Sequence, residues 1–180
     1  MRLIEPTGIV ETARLLLRPW REDDARELQR LFSNPAVRGG RNLPPDRLTK
    51  FAEASLRQWR VNGFGPWAAI EKTTGRWIGK IGLDELDDWP EPDKIEVGFE
   101  LHEEWWGRGL ATEGAVAALH FGFEQHGLER IISVTAAANG AARRVMEKAG
   151  LIYAGTRYWM NPDVPVVWYA VSRATWKEST

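Results

Sequence analysis

The densest chemistry in this chain lies between Glu96 and Glu113, where an alternating apolar and polar stretch runs through a glycine-bearing turn into a helix-forming sequence. In Trp106-Gly107-Arg108-Gly109-Leu110-Ala111-Thr112, Gly107 and Gly109 lack a Cβ and can take backbone angles that turn successive N–H groups toward one point. The unpaired N–H groups of the following helix add about half a positive charge. The turn is an anion site in outline, and a phosphate ester fits it. Two common phosphate loops fit poorly. A nucleoside-triphosphatase loop ends in Gly-Lys-Ser/Thr, where this chain has Gly109-Leu110-Ala111. A dinucleotide fingerprint needs a third glycine and an acidic residue closing the next strand, whereas Ala111-Thr112 follow Gly109 and Glu129 precedes that strand.

Upstream of the turn, Ile95, Val97, Phe99 and Leu101 alternate with Glu96, Gly98 and Glu100, so the two carboxylates share the polar side of a strand. A carboxylate in the middle of a central strand is costly to desolvate unless it meets a cation, a water chain or an amine. Gly98 can permit a bulge, which would change the side that Glu100 faces, or it can serve close packing. Asn139 stands where a later helix begins and can cap it. Ten tryptophans are many for 180 residues. Core and sheet packing is their ordinary use, and an apolar or cation-binding pocket is the sharper one.

The elements that must position these groups read as follows. Leu15-Leu16-Leu17-Arg18 is a strand, and Glu22-Asp23-Asp24 opens an amphipathic helix to about Phe32. Residues 33–45 carry Asn34-Pro35, Gly39-Gly40 and Pro44-Pro45, which is loop chemistry, before a helix from Leu48 to about Arg60. Residues 67–70 and 77–83 form antiparallel strands around the turn Thr73-Thr74-Gly75, and an acidic, proline-broken loop over 87–93 leads to the strand at 95–101. A helix from Ala111 to about Gln125, with Gly114 and Gly122 for close packing, precedes a buried strand at 131–136 and the Asn139 helix. Two closing strands, about 151–159 and 166–172, flank the turn Asn161-Pro162-Asp163.

Composition narrows the field. The length suits a single domain over residues 1–180 with its core at about 12–176. Twenty-four basic and 25 acidic residues leave a formal charge of −1, so no global field favours nonspecific nucleic-acid binding. No apolar run spans a membrane, and Met1-Arg2-Leu3-Ile4-Glu5-Pro6 is broken before a signal-peptide core forms, which points to a cytoplasmic protein. Cysteine is absent, removing disulfides, thiolate metal sites and any cysteine-borne covalent intermediate. His102, His120 and His126 lack metal-ligand spacing, so no metal is expected and a structural role is the preferred reading; His126 sits at a helix end that favours an imidazolium.

The motif Trp106-Gly107-Arg108-Gly109-Leu110-Ala111-Thr112-Glu113 resembles the acyl-coenzyme A pyrophosphate loop of the GNAT superfamily of N-acetyltransferases. Asn139-Gly140-Ala141-Ala142-Arg143-Arg144-Val145-Met146-Glu147-Lys148-Ala149-Gly150-Leu151 resembles its second signature. The opening Thr12-Ala13-Arg14-Leu15-Leu16-Leu17-Arg18-Pro19-Trp20, followed by Glu22-Asp23-Asp24-Ala25, is similar to the ribosomal-protein-alanine N-acetyltransferase-like branch. The resemblance implies a single α/β (α+β) domain with a mixed, mostly antiparallel central sheet, flanked by helices, and a V-shaped splay between its fourth and fifth strands.

The activity implied is direct transfer, in a ternary complex, of an acetyl group from acetyl-CoA to a primary amine, either a protein N-terminus or a small molecule. By the same resemblance Trp106, Gly107, Arg108, Gly109, Leu110, Ala111 and Thr112 hold the pyrophosphate, and the backbone of Phe99, Glu100 and Leu101 pairs with the pantetheine. Asn139 and Arg143 complete the cofactor set, and the resemblance places Trp67, Trp105, Trp106 and Trp159 in segments near the cleft. Glu96 is the first choice of base and Glu100 the second. Met146 replaces a tyrosine common in the superfamily and Ala142 a serine, so either the thiolate leaves unprotonated or a water, Tyr153, Tyr158 or Tyr169 supplies the proton. The alternative is a noncatalytic acyl-CoA-binding regulatory module. A homodimer is compatible with either.

Overall fold

The computed structural model describes residues 8–39, 43–86 and 88–179. The N-terminal hexapeptide, Gly40 and Asp87 of the sequence reading lie outside them. In chain order the elements are β1 (Val10–Glu11), β2 (Leu15–Pro19), α1 (Asp24–Ser33), α2 (Pro35–Arg38), α3 (Pro45–Asn62), β3 (Pro66–Glu71), β4 (Trp77–Glu85) and β5 (Ile95–Leu101). A single 3-10 turn (Glu103–Trp105) leads into α4 (Leu110–Glu124), β6 (Arg130–Ala136), α5 (Gly140–Lys148), β7 (Ile152–Trp159), β8 (Asn161–Ser172) and α6 (Arg173–Ser179).

Sequence periodicity places most of these, and the departures have local causes. Residues read as loop contain α2, whose first turn Asn34 caps by accepting from the Ala36 N–H at 2.9 Å. Helix α3 begins at Pro45, three residues before Leu48, because proline's fixed φ suits a first helical position. Strand β8 starts at Asn161, five residues before Val166. The hairpin pivots at Met160, at φ 60°, and Asn161 Oδ1 accepts from the Asp163 N–H at 2.9 Å within an irregular first stretch of the strand.

The strands form one sheet in the order β1-β2-β3-β4-β5-β6-β8-β7. Neighbours are antiparallel except β5 and β6, which run parallel and register at Glu96 with Ile132. Beyond that pair the two strands diverge, so the splay lies where the sequence expects it; a two-residue β1 makes them the fifth and sixth strands. No bulge occurs at Gly98, which registers with Gly82 in an unbroken β4–β5 ladder. Register shifts occur elsewhere, in the β3–β4 pair between Ala69 and Ile70 and in the β7–β8 pair.

One sheet face carries the main core. Leu15, Leu17, Ile81, Leu83, Val97 and Leu101 pack with Ala115, Leu119, Phe121 and Phe123 of α4 and with Met146 of α5. Burying one such side chain contributes on the order of 1.5–3 kcal/mol, which makes this the principal stabilising layer. Gly114 and Gly122 admit close approach, since a Cβ at either would run into Ile81 or Ile131. A second cluster of Trp20, Leu28, Leu31, Phe32, Val37, Leu48 and Ala52 joins α1, α2 and α3 to one another. Phe51 of α3 reaches the other sheet face, where Lys80 Nζ lies 4.9 Å from its ring centroid. Trp67 is fully buried, with edge contacts to Trp59 and Phe121 at 5.3 and 4.9 Å, and belongs to the core rather than to a cleft.

Candidate active site

Alternation along β5 sets Glu96, Gly98 and Glu100 on the face away from α4. The antiparallel register with β4 adds two groups that no local pattern could supply: Asp84 opposite Glu96, and Lys80 opposite Glu100. Lys80 Nζ pairs with Glu100 Oε2 at 2.8 Å in a mostly buried bridge. Burial works against the Lys80 charge, but Glu100 and Asp84 outweigh it and hold the pKa above its ordinary value. Glu100 is thus tied to a cation. Glu96 instead accepts, through Oε1, the Val134 N–H of β6 at 2.9 Å, across the start of the splay.

Glu96 keeps some solvent contact, yet the dense surroundings dominate. Burial pushes its pKa up to about 8, against the smaller opposing effects of the Val134 N–H and Lys80. A stability prediction follows with a definite sign. The folded state holds a proton that the unfolded chain releases near 4.5, so the stability contributed by Glu96 declines as pH rises from about 4.5 to about 8 and is flat beyond. Glu96→Gln does not titrate and keeps an acceptor for Val134. Its melting temperature relative to wild type should therefore climb between pH 5 and pH 8.5, and a constant offset would contradict the raised pKa.

The splay exposes part of the backbone of β5. The Leu86 N–H donates to Lys94 O at 2.9 Å and the His102 N–H to Ile78 O at 2.8 Å, which sets even-numbered β5 residues as the hydrogen-bonded pairs with β4. The odd-numbered residues then turn their polar groups toward β6. Val97 O is met there by Ser133 Oγ at 2.7 Å, and Leu101 O by the Trp106 indole N–H at 2.8 Å. The N–H and C=O of Phe99 and the N–H of Leu101 face the opening. The backbone of Glu100 belongs to the β4 ladder, so of this residue only the side chain is placed for chemistry.

At the end of β5 the turn residues Gly107 and Gly109 both adopt the left-handed region, at φ 72° and 75°. No side chain caps α4, and its first helical bond runs from the Glu113 N–H to Gly109 O at 3.0 Å. The N–H groups of Leu110, Ala111 and Thr112 are therefore left without helical partners. A Cβ at Gly107 would meet nothing within 4 Å, so the turn is open on that side. These features fit a pyrophosphate bound through backbone N–H groups. Arg108 does not point its charge into this arrangement: its guanidinium stacks over the Trp105 ring at 4.8 Å. Trp106, 46% exposed, flanks the turn.

Asn139 caps α5, its Oδ1 accepting from the Ala142 N–H at 3.1 Å. The structure sets Arg143 in a separate network. Its Nε donates to the Tyr169 hydroxyl at 3.2 Å, which donates in turn to Glu147 at 3.0 Å, while Nη1 reaches Ala137 O at 3.4 Å. Met146, 1% exposed, is a core residue. The register puts Tyr153 and Tyr169 in the Ser133 row, on the face opposite Glu96; Tyr158 shares that face. His126 packs against Phe64 and Phe121, and burial lowers its pKa, overriding the helix-end preference for an imidazolium.

The far side of the splay is walled by tryptophan. Trp89, buried, meets Trp159 and Trp168 edge-on at 5.1 and 5.9 Å and packs with Ile132 and Val134, the β6 residues beside Glu96. Trp159 Nε1 donates to Asp88 O at 3.0 Å, and Arg157 pairs with Glu91, so the acidic loop before β5 is fastened to the β7–β8 hairpin. Among the described residues no group of three or more His, Asp or Glu could hold a metal, and no helix is long and apolar enough to cross a membrane.

Residues 14–152 match a family model described as an acetyltransferase (GNAT) domain. A transacetylase of Aspergillus fumigatus, named FsC-acetyl coenzyme A-N(2)-transacetylase, is 28% identical over 96% of this chain and 78% of its own length. A putative ribosomal N-acetyltransferase of Bacillus subtilis is 25% identical over 86% of this chain and 88% of its own. The crystal structure of an acetyltransferase from Agrobacterium tumefaciens superposes with a TM-score of 0.78 at 27% identity, covering 94% of this chain and 98% of that one.

Proposed function

The chain belongs to the GNAT acetyltransferase family and is an acetyl-CoA-dependent N-acetyltransferase; from that premise we propose that it passes the acetyl group directly to a primary amine held beside Glu96, which serves as the base. Acetyl-CoA supplies an activated thioester. The α4 terminus and the turn at Gly107 and Gly109 bind its pyrophosphate, and the open edge of β5 at Phe99 and Leu101 pairs with the pantetheine amides, which leads the acyl group toward Glu96. Asn139, exposed at the start of α5, contacts the pantetheine by this reading as well as capping the helix.

The observation that carries this reading is Glu96 itself, a carboxylate at the start of the splay, bonded to Val134 of the opposing strand and raised to a pKa of about 8. An amine reaches the enzyme as an ammonium ion and must lose a proton before its lone pair can attack. A carboxylate with this raised pKa accepts that proton with little penalty, whereas an ordinary one is several units too weak. The nitrogen then bonds to the acyl carbon, the carbon–sulfur bond breaks as the thiolate leaves, and the nitrogen gives up its second proton to solvent to become the neutral amide. Glu100, neutralised by Lys80, is the weaker candidate for the base. No cysteine is present to carry the acetyl group, in keeping with a ternary complex. The acceptor class is a protein N-terminus or a small-molecule amine: the B. subtilis relative is named for ribosomal substrates and the A. fumigatus relative for N(2) transfer on a different acceptor.

The thiolate, by this reading, takes its proton from solvent. Tyr153→Phe and Tyr158→Phe should each hold kcat within about twofold, because both phenols lie on the opposite face; a tenfold loss in either would make that residue the acid. The reaction itself is tested by free-thiol release from acetyl-CoA against Ser- and Ala-initiated peptides, polyamines, amino acids and aminoglycosides, with binding followed by calorimetry. Release stimulated by one amine class is expected. Tight binding with no release in any class would overturn the proposal in favour of a binding module.

A further inference from the structure

Glu113 creates an electrostatic problem at the anion turn. It is the acidic residue in the first turn of α4, the helix whose N-terminus would receive a pyrophosphate. An uncompensated carboxylate there opposes an incoming anion. The fold disposes of its charge through residues far away in sequence. Glu113 Oε1 accepts from Thr12 Oγ1 at 2.6 Å and from the Arg14 N–H at 2.8 Å, and Oε2 accepts from Arg14 Nε at 2.6 Å. Burial would raise the Glu113 pKa, but these bonds outweigh it and lower the pKa, so the carboxylate is ionised and fully engaged.

The same guanidinium does a second thing. Arg14 Nη1 donates to the carbonyl of Arg108 at 2.7 Å, between the two left-handed glycines, and Nη2 lies 3.5 Å from the position a Cβ on Gly109 would take. One planar side chain therefore links the residue just before β2, the peptide in the middle of the turn and the first turn of α4. Lysine could not make both contacts with a point charge. Arg108, stacked on Trp105, does neither task.

We propose that Arg14 is the positioning residue of the pyrophosphate site: it holds the Arg108 peptide so that the turn's N–H groups converge, and it cancels the Glu113 charge that would otherwise repel the ligand. The proposal rests on the acetyl-CoA reading above. Coenzyme A affinity, measured by calorimetry, should fall about tenfold to a hundredfold in Arg14→Gln, as expected when a charge-assisted clamp is removed. Arg14→Lys should recover only part of it. The preference for acetyl-CoA over acetyl-pantetheine, which lacks the pyrophosphate, should shrink by the same factor as the affinity. The double variant Arg14→Gln, Glu113→Gln separates charge from scaffolding: removing the orphaned carboxylate should restore at least a third of the lost factor on a logarithmic scale.

Unchanged coenzyme A affinity in Arg14→Gln would overturn the proposal. So would an equal loss with acetyl-pantetheine, which would mark a general folding defect, or a double variant no better than the single one. Failure of the wild-type protein to bind coenzyme A would instead sink the acetyltransferase reading itself, so the two failures are distinguishable.

Discussion

Gly109→Glu should abolish coenzyme A binding, with an affinity loss of at least about a hundredfold by calorimetry. Gly109 sits at φ 75°, and a residue with a Cβ held there costs on the order of 1–2 kcal/mol. The new carboxylate would also stand at the uncapped start of α4, where a phosphate is expected; two like charges about 4 Å apart at a protein surface repel by roughly 4 kcal/mol. It would further meet Arg14 Nη2, 3.5 Å from the Cβ position, and draw that guanidinium away from Glu113 and the Arg108 carbonyl. The turn lies at the surface, so the fold should survive, as circular dichroism can check. Gly109→Ala carries the backbone strain without the charge and should lose less than about tenfold. An affinity within threefold of wild type for Gly109→Glu would remove the pyrophosphate from this turn.

Glu96→Gln should lower kcat by about a hundredfold to a thousandfold, the usual contribution of a positioned base, while coenzyme A affinity stays within about twofold. Glutamine keeps the shape and can still accept the Val134 N–H, so the loss reports proton acceptance rather than geometry. The wild-type rate should rise with pH through about 8, as the base form of Glu96 is populated, and level off above. In Glu96→Gln that rise disappears, and the residual rate follows deprotonation of the amine in solution, so high pH recovers part of the loss. A variant with wild-type kcat and an intact pH profile would transfer the role to Glu100 or to solvent.

The unequal legibility of these sites has a physical origin. The anion turn is a local object: two glycines and a helix start lie within a handful of consecutive residues, so backbone freedom and unpaired N–H groups can be read directly from the chain. Asn139 as a cap is local in the same sense, and period-two alternation suffices to set Glu96 and Glu100 on one side of β5. Gly98 permits a bulge but forms none, because the β4–β5 ladder runs through Gly82 and Gly98 without a shift, a matter of pairing that a single strand does not specify. The helix end by itself favours a charged His126, but its aromatic neighbours, one of them Phe64 from well outside the helix, bury the ring and lower its pKa.

What the sequence determined by itself was the family, through motifs that resemble its signatures, together with the kinds of groups at the site and their order along the chain, which follow from short-range geometry. What only the tertiary structure decided was which partners complete them. Lys80 reaches Glu100 through strand register, Val134 reaches Glu96 across a splay, and Arg14 reaches Glu113 over a separation of 99 residues. Arg108, the cation nearest the turn in sequence, is held by an aromatic ring, while the cation that serves the turn comes from the far end of the domain. Charge compensation and pKa depend on distances of a few ångströms in space, and chain separation carries almost no information about those distances once the sheet has formed.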